Sequence, residues 1–199
     1  MSDGQEPRSY LIDMDRLPVL FPTHRHTAEF WEHLGRAVAT FGFLEEIMGK
    51  AIFAFTATTR YAPEDVEAAY QAWLPKLEKA LTDTLPFLAD AYKKAVDENP
   101  AARTEDVGGL SEKIKEAAKL RNVLCHGSWH PPEEDGSCRV FYVDRRLGLF
   151  DQPVDIEWLR DVQAHVAELA CHVMNSVTAM GVQFPGSSGP GTSIWPNSR

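Results

Sequence analysis

The 199-residue sequence lacks most features of membrane, secreted and disulfide-rich proteins. No stretch approaches the roughly 18 uninterrupted apolar residues that a membrane-spanning helix needs. The amino-terminal segment is polar and has no apolar stretch of the kind that a secretory signal carries. The three cysteines, Cys125, Cys138 and Cys171, are odd in number and widely spaced, which excludes a disulfide framework or a CxxC site. We therefore expect a soluble, cytoplasmic protein with free thiols and no membrane partner.

Common catalytic motifs are also missing. The sequence has no P-loop, GxGxxG or GxSxG, which disfavours nucleotide hydrolysis and serine-hydrolase chemistry. His26, Glu29 and His33 would share one helix face if a helix began early enough, but no HExxH or ExxH pair accompanies them. No His–Asp grouping near Cys125 indicates an activated thiol, so this side chain is expected to be buried packing. We expect no metal and no cofactor.

Positive charge is scarce. The chain has 20 Lys and Arg against 29 Asp and Glu, a net charge of −9. Such a balance disfavours broad electrostatic binding of nucleic acid, which depends on basic contacts to phosphates. Residues 111–130 run against the trend, because four basic side chains there outnumber two acidic ones. A small local anion-binding site is therefore compatible with the composition.

Apolar residues recur at every third or fourth position along most of the chain, which predicts helices. Four such segments cover residues 27–56, 63–97, 110–126 and 155–180. Pro75 and Pro86 lie inside the second segment and should kink or split its helix. Gly127 directly follows the third segment and suits a helix C-cap.

Three glycines, Gly35, Gly42 and Gly49, recur at steps of seven residues along the first predicted helix. Each glycine inside a helix costs about 1 kcal/mol relative to alanine. We therefore interpret the spacing as a line along which another helix packs closely.

The segment before the last predicted helix has a different pattern. Alternation over 138–143, three turn residues and a second apolar run over 147–150 predict a β-hairpin insert at about 138–150. The chain then divides into an irregular arm over 1–26, one domain over 27–180 and a flexible Gly/Ser/Pro-rich tail over 181–199. The expected fold class is all-α, a bundle of four to five helices with the hairpin before the last one.

Candidate functional residues gather at the end of the third predicted helix. Arg121 lies on the apolar stripe, where an unpaired charge is costly, so it must be paired or reach an opening between helices. Asn122 and His126 are four residues apart and share a neighbouring face. Attack of a ribose 2′-hydroxyl on the adjacent phosphate needs a proton acceptor, a proton donor and positive charge over the developing anion. A cation, an amide and a titratable imidazole suit that reaction without a metal.

The run Arg121-Asn122-x-x-x-His126, followed by Gly127 and Trp129, resembles the R-x4-H signature of HEPN domains. These domains are small helical bundles in toxin–antitoxin, CRISPR-associated and other RNA-processing or defence systems. The order of long helices, motif-bearing helix, insert and closing helix is similar too, so the resemblance extends over roughly 27–180. It implies a HEPN-like bundle and a homodimer in which two motifs face each other in one ribonuclease site.

The resemblance also implies roles for individual residues. The enzyme would be a metal-independent endoribonuclease that leaves a 2′,3′-cyclic phosphate, with a cognate antitoxin or regulatory protein as a further partner. Arg121 would stabilise the phosphate, His126 would transfer protons and Asn122 would position one or the other. The candidate RNA contacts are Lys119, Trp129, His130, Arg139, Arg145 and Arg146.

Structural roles stay open beside these functional ones. Arg121 could form a salt bridge with Glu45 or Glu46 of the first helix, and that glutamate could also orient the arginine. His126 could cap free carbonyls at the helix end, and Asn122 could bond to another helix. The second hypothesis for the whole chain is a catalytically inactive HEPN-like module that binds a protein partner or a nucleotide. A third is an unrelated helical protein in which the motif arose by chance.

Overall fold

The computed structural model describes residues 12–59, 61–144 and 147–186. These parts of the chain form five α-helices and one two-stranded antiparallel sheet, which confirms the all-α class with a small hairpin before the last helix. No helix in the described ranges is long and apolar enough to cross a membrane. The elements are α1 (Ala28–Ala57), α2 (Val66–Ala80), α3 (Leu85–Glu98), α4 (Val107–His126), β1 (Ser128–Trp129), β2 (Val140–Phe141) and α5 (Ile156–Thr178).

Helix α1 is the centre of the bundle and contacts each of the other four helices. It begins where the sequence predicts, because Thr27 is its N-cap and Thr27 Oγ1 accepts a bond from the Phe30 N–H at 3.2 Å. Its most extensive packing is against α5, while α3 and α4 pack on each other. Large side chains such as Phe41, Leu44 and Phe55 are fully buried along α1.

A buried hydrogen bond joins α3 to α5. The Tyr92 hydroxyl donates to Ser176 Oγ at 2.7 Å, and Ser176 Oγ donates to the Val173 carbonyl at 2.6 Å. Burial raises the pKa of Tyr92, although the bond to Ser176 acts in the opposite direction. The phenol therefore stays neutral and its proton remains available to the serine.

The second predicted helix is two helices. Helix α2 ends at Ala80 and α3 begins at Leu85, with Pro86 in the first turn of α3, where a missing N–H costs nothing. Pro75 lies inside α2 and does not end it. The prediction of a kink or split at the prolines is thus confirmed at Pro86.

Helix α4 starts three residues earlier than the sequence predicts. Asp106 is its N-cap and its Oδ1 accepts from the Gly109 N–H at 2.9 Å, so Gly108 and Gly109 belong to the first turn. The predicted start at residue 110 was wrong, because the aspartate cap outweighs the low helix propensity of the two glycines. The carboxyl end of α4, at His126, is where the sequence predicts it.

The hairpin insert pairs differently from the prediction. Strand β2 pairs with β1, through Ser128 with Phe141 and Trp129 with Val140. The predicted partner run over 147–150 meets the residues that follow β2, through a bridge between Val143 and Leu149 and a bond from the Phe150 N–H to the Tyr142 carbonyl at 3.1 Å. Strand β1 was missed because it is two residues long and follows α4 after a single glycine.

The predicted arm and tail are described in part. Residues 12–27 contain turns and one short 3-10 helix, Met14–Arg16. Residues 1–11 of the predicted arm and 187–199 of the predicted tail lie outside the described residues.

The glycine line on α1 does not mark close packing. An added Cβ at Gly35 or Gly42 would have no atom within 4 Å, and both residues are exposed. At Gly49 it would lie 3.8 Å from the Ala80 carbonyl oxygen of α2, an ordinary van der Waals contact. The predicted packing line was therefore wrong at Gly35 and Gly42, where α1 faces away from the rest of the described structure.

We expect Gly42→Ala to stabilise the fold. Alanine adds no clash there and removes the entropic cost of a glycine inside a helix, about 1 kcal/mol. Urea denaturation followed by circular dichroism measures the change in the free energy of unfolding. A loss of stability would contradict the prediction and reveal another chain or segment on this face of α1.

Candidate functional site

The candidate motif occupies the last two turns of α4. Arg121 and Asn122 are half-buried, whereas Cys125 and His126 are exposed. Between these polar residues, Val123 and Leu124 are buried in the bundle. The buried pair fixes the rotation of the helix end and leaves the polar motif side chains at least partly exposed.

An ion pair links the motif to α1. Arg121 Nε lies 3.9 Å from Glu45 Oε1, and the two side chains are 37% and 30% exposed. At that exposure such a pair contributes less than about 1 kcal/mol, so it orients the guanidinium more than it stabilises the fold. Glu46, the other predicted partner, pairs instead with Lys50 at 2.6 Å.

Asn122 and His126 have no side-chain hydrogen bond to any residue in the described ranges. The two structural roles considered for them, a bond to another helix and a cap on free carbonyls, are therefore not observed. Both side chains are free to meet a ligand or another chain.

The amino-terminal arm is bound to the motif end of the bundle. His26 Nε2 donates to the His130 carbonyl at 2.8 Å, and the Trp31 indole N–H donates to the Thr23 carbonyl at 2.9 Å. The Trp129 ring meets the Phe30 ring edge-on, with centroids 5.5 Å apart. Trp129, one of the candidate RNA contacts, is thus half-buried and packs against Phe30 and Trp31 of α1.

The remaining candidate RNA contacts are dispersed and largely neutralised. Lys119 pairs with Glu116 at 2.6 Å, and Arg139 pairs with Glu133 at 3.2 Å. His130 is exposed beside Trp129. Arg145 and Arg146 lie outside the described residues.

The histidines near the start of α1 do not converge. Because α1 begins at Ala28, His26 precedes the helix and leaves the face that Glu29 and His33 share. His33 Nε2 instead lies 3.2 Å from an Arg160 guanidinium nitrogen, and Arg160 also pairs with Glu29. In the part of the chain that the structure describes, no group of three or more ligating side chains could hold a metal ion.

The cysteines differ in accessibility. Cys125 is exposed, so the expectation that it is buried packing was wrong. Cys138 is fully buried, and burial, assisted by the charge of Asp155, raises its pKa to about 11. Cys138 is therefore a neutral thiol inside the core at every physiological pH.

The motif lies outside the two best-formed cavities of the described structure. A cleft of about 620 Å³ separates the loop before α4 from α5, and Thr104, Lys113, His165 and His172 are among its lining residues. A smaller cavity of about 320 Å³ lies between α1 and α2 beside Tyr70. Neither of these two cavities includes a motif residue, and Cys125 and His126 are exposed.

Comparison with known proteins identifies no family. The chain matches no protein-family model, no curated protein and no solved structure. The functional inference therefore depends on the residues and their geometry alone.

Close packing around Gly127 leaves no room for a side chain. Its backbone is extended and its N–H donates to the Val123 carbonyl at 2.8 Å. An added Cβ would lie 2.6 Å from that carbonyl oxygen and closer still to a methyl group of Val140. Gly127 thus allows β1 to turn directly off the end of α4 and pair with β2.

We expect Gly127→Ala to lower the free energy of unfolding by about 1–3 kcal/mol, because overpacking forces β1 away from the end of α4. Chemical denaturation measures this change, with Gly42→Ala as the matched variant that introduces the same methyl group in open space. Equal stability of the two variants would contradict the prediction.

Proposed function

We propose that this chain is a metal-independent endoribonuclease of HEPN type that acts as a cytoplasmic homodimer, within a toxin–antitoxin or defence system. The observation that carries the proposal is the arrangement at the end of α4. Arg121, Asn122 and His126 all lie in the last two turns of α4 and are at least partly exposed, and the last two have no side-chain hydrogen bond in the described ranges. A cation, an amide and an imidazole are therefore available together to a ligand.

The reaction would be an attack of the ribose 2′-hydroxyl on the adjacent phosphorus. An imidazole of His126 removes the 2′ proton as the O2′–P bond forms, and a second imidazole, in its protonated form, donates to the leaving 5′ oxygen as the P–O5′ bond breaks. Arg121 binds the non-bridging oxygens, on which negative charge develops. The products are a 2′,3′-cyclic phosphate and a free 5′-hydroxyl.

The number of imidazoles favours two copies of the chain. The reaction uses a proton acceptor and a proton donor on opposite sides of the phosphate, and one motif supplies a single histidine. A second copy of the motif would supply the other. That copy would be needed beside His126, which is exposed in one chain.

Glu45 would act as a positioning residue. Its carboxylate lies 3.9 Å from Arg121 Nε, which leaves the two terminal guanidinium nitrogens free to bind phosphate. A guanidinium already held by one carboxylate loses less rotational freedom when it binds a second anion.

A cognate antitoxin would inhibit the enzyme most simply by covering this end of α4.

The central prediction is cleavage of labelled RNA by the purified full chain in excess chelator. We expect Arg121→Ala and His126→Ala each to reduce cleavage by about 100-fold or more, because each removes a group acting in the transition state. The wild-type product should carry a 2′,3′-cyclic phosphate. Circular dichroism should show both variants folded, since Arg121 is half-buried and His126 is exposed.

Absence of cleavage across varied RNAs would overturn the nuclease. It would favour the second candidate, a catalytically inactive HEPN-like module that binds a protein partner or nucleotide. Two observations favour this second candidate: the net charge is −9, and Lys119 and Arg139 are already paired with carboxylates.

A second prediction concerns Glu45. We expect Glu45→Gln to lower kcat about tenfold to a hundredfold with little change in KM, because a misplaced guanidinium affects the transition state most. Glu45→Asp should recover part of the loss. Glu46→Gln is the matched control, since Glu46 pairs with Lys50, and equal effects of the two Gln variants would contradict a positioning role for Glu45.

A further inference from the structure

A cavity lined mainly by aromatic and small side chains lies between α1 and α2, apart from the motif residues. Its volume is about 320 Å³, and its lining residues in the described ranges carry no charge. Ala57 of α1 and Ala69, Tyr70 and Trp73 of α2 are among them. The centroid of the Trp73 ring lies 5.6 Å from that of Phe53 and 6.2 Å from that of Tyr70. Such a lining suits one uncharged aromatic group.

Helix α2 leaves most of its apolar side chains in contact with water. Of its 15 residues, Ala80 alone is buried. Beside the cavity, Tyr61 and Tyr70 are 53% and 49% exposed. A hydrogen bond of 2.8 Å from the Trp73 indole N–H to Thr56 Oγ1 joins α2 to α1 here. Exposed apolar side chains around a cavity mark a place where another group binds.

The last described residues bring the chain to the second half of α1. Near the start of α5, an Arg160 guanidinium nitrogen lies 3.5 Å from Glu29 Oε1, at the start of α1. After α5 ends, Phe184 is buried, and a Cβ built at Gly186 would lie 3.5 Å from Lys50 Nζ. From Arg160 to Gly186 the chain thus advances from the start of α1 toward its carboxyl end.

The cavity lies a short distance farther along α1. Ala57, which lines it, follows Lys50 by seven residues. Ala57 therefore lies about 10 Å farther along the helix axis and on nearly the same face. Helix α2 runs beside this stretch, because a Cβ built at Gly49 would lie 3.8 Å from the Ala80 carbonyl oxygen. The chain at Gly186 is thus close to the contact between α1 and α2.

The sequence after Gly186 carries one large aromatic side chain. Residues 187–193 are only Gly, Ser, Thr and Pro, and Ile194 and Trp195 follow them. Trp195 comes nine residues after Gly186. A Gly/Ser-rich linker of that length has an average end-to-end distance of about 16 Å, which is enough to reach the cavity. A short linker of matched length gives an effective concentration in the millimolar range, so weak affinity suffices for binding.

We propose that Trp195 of the carboxyl-terminal segment binds in this cavity and holds α2 against α1. The indole would add a ring beside Tyr70 and Trp73, where offset or edge-on ring contacts are favourable. It would also cover the exposed side chains of Tyr61 and Tyr70. The contact involves no residue of the motif, so it would form whether or not the protein cleaves RNA.

The test is fluorine NMR of the full chain labelled with fluorotryptophan, in which Trp195→Phe identifies the Trp195 signal by its loss. We expect that signal to differ in chemical shift from the signal of a free peptide of residues 187–199. Ala69→Phe should move it to the peptide position, because a phenyl ring there would fill the cavity. Trp195→Ala should also speed amide hydrogen exchange in α2 about tenfold, since a helix with fewer buried contacts opens more readily.

The matched control is Ala39→Phe, which adds the same ring at an exposed position of α1 that does not line the cavity. It should leave the Trp195 signal in place, and circular dichroism should show both Phe variants folded. A wild-type Trp195 signal at the peptide position, or one that Ala69→Phe leaves unmoved, would overturn the contact. Equal movement of the signal in Ala39→Phe would overturn it too.

Two further outcomes would give the cavity another occupant and overturn the contact within one chain. The first is a Trp195 signal that leaves the peptide position only as the protein concentration rises, which indicates the segment of a second copy. The second is a Trp195 signal at the peptide position while added indole shifts the Trp73 signal, assigned through Trp73→Phe. That result would indicate a site for a small aromatic ligand.

Discussion

The packing of α1 against the other four helices is the constraint on which the rest of the structure depends. Helix α1 presents buried residues on one broad face and contacts every other helix. Glu45 follows the fully buried Leu44 on this helix, so the position of its carboxylate is set by the core. The link from Glu45 to Arg121 then transmits that position to the end of α4. The candidate site thus inherits its geometry from the centre of the bundle.

The motif is in part a consequence of packing. Val123 and Leu124 are buried and would be apolar in any bundle of this design. Gly127 is required by the approach of Val140 and by the carbonyl of Val123, whether or not the protein is an enzyme. Arg121, Asn122 and His126 are different, since packing requires none of these residue types. The functional argument therefore depends on these three residues and not on the glycine that follows them.

Sequence periodicity was sufficient for the helices, because each has an amphipathic stripe and three have an N-cap that contributes a side-chain hydrogen bond. It was insufficient for β1, whose two residues carry no periodic signal, and for the start of α4, where Asp106 outweighs two glycines. The pairing of Arg121 with Glu45 was predicted only as one of two choices, since adjacent residues on a helix diverge by about 100° and the rotation of α1 decides between them. The hydrogen bond from His26 of the arm to the His130 carbonyl joins distant positions and had no local signal at all.

An acidic ribonuclease has to obtain RNA affinity from few contacts. With Lys119 and Arg139 paired to neighbouring carboxylates, the described surface near the motif offers little beyond Arg121 to bind phosphate. Few phosphate contacts mean that binding releases few counterions and changes only weakly with salt. The transition state would then have to be bound mainly by one arginine. Water would have to be excluded around that arginine, because an electrostatic contact is stronger in a dry site than in open solvent. Pairing of two motifs, as proposed, would supply that exclusion.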